Sequence, residues 1–146
     1  MDTGRGGRVS EHPDVLRPGE MEWIDRGAGV RSVPLVGKWN TESAELTTGI
    51  TAFVPGTELP LHTHNVDETV LILEGEALVT IADERSQLGA QDVTWIPAGV
   101  PHAFANRGDG PLRIYWVYAG RNVTRTIVAT GETFEHLSAR DRSIAQ

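Results

Sequence analysis

The 146-residue chain contains no cysteine, which excludes disulfides, thiolate metal sites and cysteine nucleophiles. It has no apolar run long enough to cross a bilayer, so no membrane role is expected. Its first twenty residues, MDTGRGGRVSEHPDVLRPGE, hold no apolar stretch of the kind a secretion signal needs. The expected location is cytoplasmic, and the glycosylation triplet Asn122-Val123-Thr124 carries no weight without export. Positive charge is scarce as well: 13 Lys and Arg against 20 Asp and Glu leave a formal net charge of −7. Phosphate backbones are bound by clustered cations, and no basic stripe occurs, so nucleic acid is not an expected partner.

Amphipathic helical periodicity is missing from the middle of the chain. In its place are short runs of β-formers separated by Gly and Pro. Residues 43–54 alternate, with Ala44, Leu46, Thr48, Ile50, Ala52 and Val54 on one parity, and Pro55-Gly56 ends the run. Val70 to Leu73 and Ala77 to Ile81 flank Glu74-Gly75-Glu76, which reads as a tight hairpin turn. Residues 83–86 read as a polar turn. Strands are expected over 92–96, 112–119 and 123–129, and Thr133 as the cap of a short helix over 134–139. Many short strands without intervening helices predict an all-β sandwich or barrel. The expected organisation is a flexible N-terminal arm over 1–20, a β-barrel domain over 21–130 and a C-terminal tail over 131–146.

Only five histidines are present, and two of them, His62 and His64, lie two apart beside Glu68. Side chains two apart on a strand share a face. Glu68 shares that parity if the extended run continues, as do Val70 and Ile72. Imidazoles and a carboxylate facing an apolar interior are costly unless they hold something or pair with one another. Nitrogen and oxygen donors together suit Zn, Fe, Mn, Ni or Cu better than Ca or Mg. A second stretch, PAGVPHAFAN over 97–106, delivers His102 with Phe104 and Asn106 on its parity. A third imidazole completes a three-His, one-Glu set that leaves positions on an ion open, as catalytic sites require.

Two spacings carry a family resemblance. Gly56, five residues, His62, one, His64, three, Glu68, six, Gly75 resembles the first motif of the cupins, and Pro97, one, Gly99, two, His102, three, Asn106 resembles the second. The second motif's opening glycine is replaced by Gln91, with Gly89 expected to carry the turn. The resemblance implies a double-stranded β-helix, or jelly-roll, barrel that is usually dimeric. It also implies one divalent transition metal ion per chain (Fe, Mn, Zn or Ni), held by His62, His64, Glu68 and His102.

Around that site, Trp39, Phe104, Asn106, Arg113 and Trp116 are candidate pocket residues, and Tyr115 and Tyr118 are candidates for proton transfer. Large amphipathic rings suit a ligand cavity. Asn106 is also a candidate to cap the adjoining loop. Arg31 and Lys38 are further candidate anion contacts that read better as surface cations. Asp67 should point out of the barrel, and His12 and His136 read as ordinary surface histidines. Residues 21–24 are expected to pack across a neighbouring subunit in a homodimer. The functional expectation is a metal-dependent enzyme acting on a small molecule, first a dioxygenase-type oxidoreductase. The alternatives are an isomerase, lyase or decarboxylase, or a non-catalytic metabolite- or sugar-binding protein. A metal-independent sugar epimerase ranks last.

Overall fold

The structure is a computed structural model that describes residues 14–145; His12 and most of the expected N-terminal arm lie outside the described residues. Among the described residues, twelve strands form two antiparallel sheets of six. The first sheet runs β1 (Ile24–Gly27), β2 (Val30–Pro34), β3 (Thr47–Phe53), β10 (Leu112–Tyr118), β5 (Glu68–Glu74), β8 (Val93–Ile96). The second runs β12 (Thr133–Glu135), β11 (Thr124–Ile127), β4 (His62–His64), β9 (His102–Ala105), β6 (Ala77–Ile81), β7 (Glu84–Leu88). This is the all-β, double-stranded β-helix expected of the sequence.

The alternation in β10 shows how the barrel is filled. Leu112, Ile114, Trp116 and Tyr118 are buried, while Arg113, Tyr115 and Val117 are half-buried on the opposite face. The inward set meets Phe53, Leu59, Val70, Ile72, Val79, Ile96 and Phe104 in one core. Burial of such side chains contributes roughly 1.5–3 kcal/mol each, which is the main term holding the two sheets together. In β3 both faces are buried, because Leu16, Met21 and Trp23 cover its outer side with Val33, Leu35, Ile50 and Tyr115. Met21 and Trp23 thus lie against their own chain. Opposite Trp116 in the ladder is Gly49, and any side chain there would run into the indole. The glycine makes the room that lets Trp116 enter the interior.

Several local expectations are corrected by the packing. Glu74-Gly75-Glu76 does not close a hairpin, because β5 and β6 belong to different sheets. Gly75 has φ +87° and lies so close to Pro111 that a Cβ would meet its carbonyl oxygen, so the chain crosses between sheets there. The polar residues 83–86 are mostly strand: the turn is Ala82-Asp83, and Glu84–Leu88 pairs back along β6. Its sequence ERSQL lacks alternation because β7 is an edge strand open to solvent. Gly89 does not take the positive φ at the second motif; Gln91 itself adopts it, at +76°. The alternating stretch over 43–54 is a strand only over Thr47–Phe53. Thr133 caps no helix but starts β12, while Ser138 caps α1 (Ala139–Arg142) by accepting from the Asp141 amide.

Candidate metal centre

Three strands and one crossing assemble the site. His62 and His64 project inward from β4, with the half-buried Thr63 between them facing outward. His102 starts β9 directly across the ladder from His62. Glu68 does not continue the His62–His64 strand as the parity reading assumed. The chain turns at residues 65–67 and enters the other sheet, so Glu68 reaches the same interior from β5. Asp67 stays outside, exposed, and its carboxylate accepts from the Ala98 amide at 2.9 Å.

One ring nitrogen from each of His62, His64 and His102 lies within 4.8 Å of the others, and all three residues are buried. Each imidazole is oriented by a main-chain carbonyl. Nδ1 of His62 donates to Pro60 at 2.7 Å, that of His64 to Thr124 at 2.9 Å, and that of His102 to Val100 at 2.9 Å. A carbonyl can only accept, so Nδ1 carries a proton in all three rings, and a neutral ring then keeps its lone pair on Nε2. Such outer contacts are how ligating histidines are held in the required tautomer.

The Glu68 carboxylate faces these lone pairs. Its Oε1 is 2.9 Å from His102 Nε2 and 3.9 Å from His64 Nε2. The shorter approach lacks hydrogen-bond alignment, and Oε1 and both nitrogens have no hydrogen-bond partner among the described residues. Burial alone would push Glu68 up, but His102, His64 and Arg125 outweigh it and hold the carboxyl below its usual range. An ionised carboxylate beside the unpartnered Nε2 atoms of His64 and His102 is a set of buried acceptors with no donor between them. A divalent transition ion supplies what is missing, and the nitrogen and oxygen donors suit it. The residues present fit a metal.

Burial, reinforced by Arg125, holds His62 well below the usual imidazole value, and burial carries His64 down to about 3. His136 is also lowered well below its usual value, by burial first and then by Arg125 and Arg26. These rings are therefore neutral near pH 7. A native pKa below the unfolded value means that the unfolded chain binds protons the folded chain does not. Stability then falls as pH drops below about 6.5 toward the native values. Glu68 adds a loss of the same sign at lower pH. The metal-free protein is expected to lose melting temperature steadily between about pH 7 and pH 4.5. His136→Gln should make that slope shallower. Thermal scans across pH check this, and equal slopes for the two proteins would contradict a buried neutral His136.

The site opens onto a cavity of about 30 Å³, room for one or two water-sized groups. Trp116, Tyr118 and Phe104 line it, as does His136. His136 is thus not the surface histidine expected: its ring lies 5.0 Å from those of both Trp116 and Tyr118. Burial raises the Tyr118 hydroxyl well above its usual value, so it stays protonated. Other sequence candidates lie elsewhere. Trp39 is partly exposed and bonds the Leu35 carbonyl at 3.0 Å. Arg113 and Arg31 stack on Trp23 outside the barrel, and Lys38 pairs with Glu135 at 3.8 Å. Tyr115 faces the outer cluster. Asn106 is fully buried and ties the loop together through Phe53, Gly108 and Gly110.

Two cavity residues absent from the sequence candidates are Arg26 and Arg125. Arg125 Nε lies 2.9 Å from one Asp141 oxygen, a charge contact without hydrogen-bond alignment. Arg26 Nη2 lies 3.1 Å from the other. Arg125 Nη1 donates to His62 Nε2 at 3.3 Å. A signal for Arg125 was present: it shares strand parity with Val123 and Ile127, both core residues. Asp141 had none, since it is buried by the packing of α1 against β1 and β12.

The cupin domain model matches residues 49–118, the span that holds both motifs and all four candidate ligands. The chain belongs to the cupin superfamily. This cupin is 29% identical over 125 residues to the quercetin 2,3-dioxygenase of Bacillus subtilis (strain 168), covering 85% of this chain and 36% of that protein. It is 38% identical over 65 residues to an uncharacterized protein of Methanocaldococcus jannaschii, covering 43% of this chain and 52% of the other. The chain therefore spans about a third to a half of the length of these two relatives. An RmlC-like cupin from Shewanella frigidimarina superposes with a TM-score of 0.65 at 22% identity, over 77% of this chain and 94% of that one. KdgF from a Halomonas species gives 0.66 at 18%, over 75% and 96%. At such identities these structures speak for the fold alone. Among the described residues, no helix is long and apolar enough to cross a membrane.

Proposed function

We propose that this cupin is a metal-dependent enzyme acting on a small molecule, with His62, His64, Glu68 and His102 holding one divalent ion. The observation that carries the proposal is the arrangement of buried acceptors: imidazoles oriented through Nδ1, and a carboxylate 2.9 Å from an Nε2. Such an ion acts as a Lewis acid on bound oxygens and, as iron(II), supports dioxygenation. Dioxygenase-type chemistry is the first reading, supported by the Bacillus subtilis relative. The chain's own residues would close the site around a small ligand. Trp116, Tyr118 and Phe104 wall it with apolar surface and keep water out. Trp116 is held by its N–H, which donates to Thr51 Oγ1 at 2.8 Å. Tyr118 stands beside His64, with ring centroids 4.6 Å apart, and keeps its proton, which makes its hydroxyl a hydrogen-bond donor rather than an acid or base.

The test is metal content by mass spectrometry on protein purified without a nickel column, with a thermal-shift series in Fe(II), Mn(II), Ni(II) and Zn(II). About one ion per chain is expected, with roughly 2.7 kcal/mol of stabilisation at a hundred times the dissociation constant. Iron at that level directs the next assay to oxygen uptake. No bound metal and no shift with any ion would overturn the proposal.

A further inference from the structure

Arg125 is 2% exposed, and its guanidinium is held in place rather than free to swing. Its Nε meets Asp141, and Asp141 is itself tied down by the Leu137 amide at 2.7 Å and by Arg26. Arg26 in turn is committed to the Ser32 hydroxyl and the Asp141 carbonyl, both at 3.0 Å. Arg125 Nη1 is thereby left pointing into the cavity, where its acceptor is His62 Nε2. That acceptor is the lone pair the metal proposal assigns to the ion. Once a cation takes it, Arg125 loses a hydrogen-bond partner and gains a positive neighbour, in a place without bulk water to screen them.

The local charge count points the same way. Arg26 and Arg125 balance Asp141 and Glu68, all four at most 5% exposed. These four charges cancel until a divalent ion enters, which adds two positive charges. Buried charge of one sign is strongly unfavourable unless an opposite charge joins it. An anionic oxygen satisfies both the ion and the N–H of Arg125, and a carboxylate offers two such oxygens to a guanidinium. The narrowness of the cavity favours a short acid over a long one.

We infer that this site selects a small organic acid, whose carboxylate is shared between Arg125 and the ion, with Asp141 as the residue that positions Arg125. The inference rests on the metal proposal above and names its substrate class. Neutral diols and sugars would leave the guanidinium unpaired.

The experiment uses the Co(II)-loaded protein, whose visible bands report the ion's surroundings, titrated with lactate and with its neutral counterpart lactamide. Lactate is expected to change the bands and to bind roughly 100-fold more tightly than lactamide. Arg125→Met should bind cobalt with the same stoichiometry yet lose most of that preference, and Arg125→Lys should recover part of it. Asp141→Asn should weaken lactate more than lactamide. Equal binding of the two ligands by the wild-type protein would overturn the inference while leaving the metal proposal standing. So would Arg125→Met binding lactate as tightly as the wild type. Failure of the wild type to take up cobalt would overturn both. The wild-type comparison is decisive even if a variant does not fold.

Discussion

Asp141→Ala should destabilise the metal-free protein by about 3–5 kcal/mol, near the upper end for a single substitution. The carboxylate is fully buried between two arginines that are themselves 1% and 2% exposed. Removing it leaves two guanidinium charges in the interior without the carboxylate that pairs with both, and with Glu68 alone to oppose them. Burial already lowers Arg26 to about 10 despite the opposing pull of Asp141, which indicates how unfavourable its charged form would be alone. The Leu137 amide also loses its acceptor, and Arg26 loses its ion pair. For a chain of this size the loss corresponds to roughly 10–15 °C in melting temperature. Arg140 and Glu132 form the control, since their 3.1 Å ion pair is about half exposed on both sides. Arg140→Ala should cost less than about 1 kcal/mol. Thermal or urea unfolding of both variants checks the contrast. A loss below 1 kcal/mol for Asp141→Ala would mean that water reaches the arginines.

His102→Ala is expected to lower metal affinity by more than about 100-fold, beyond what loss of an outer hydrogen-bond partner alone costs. His102 supplies the nitrogen nearest to Glu68, and its substitution also leaves the carboxylate without its closest neighbour. The metal-induced stabilisation should therefore vanish at ion concentrations that stabilise the wild type. The variant should still fold, because the core cluster of the barrel does not depend on His102. His136→Ala is the matching control: a histidine in the same cavity that makes ring contacts with Trp116 and Tyr118, and that should leave metal affinity within a few-fold. Calorimetric metal titration of the three proteins decides this. An unchanged affinity in His102→Ala would sink the three-His, one-Glu assignment.

The amino-acid sequence alone determined the fold class and the residues of the candidate metal centre. Both were legible because they depend on local spacing. Short β-runs between Gly and Pro predict strands, and two histidines on one parity must share a face wherever their strand lies. The left-handed turn before the second motif was legible in position, although Gln91 rather than Gly89 bends there.

Tertiary structure decided the rest. The sequence does not say that the chain crosses between sheets at Gly75, because a hairpin and a crossing need the same left-handed glycine. What separates them is which strands find partners. Nor does spacing reveal that Glu68 enters from the other sheet, since a turn and a continued strand both return it to the interior. Arg125 and Asp141 illustrate the limit most plainly. The two lie sixteen residues apart along the chain, where Arg125 carries only its strand parity as a sign of burial and Asp141 carries none. They meet only because β11 aligns with β4 and α1 packs against β1. Their pairing, and with it the charge beside the candidate metal centre, follows from long-range packing that no local pattern encodes.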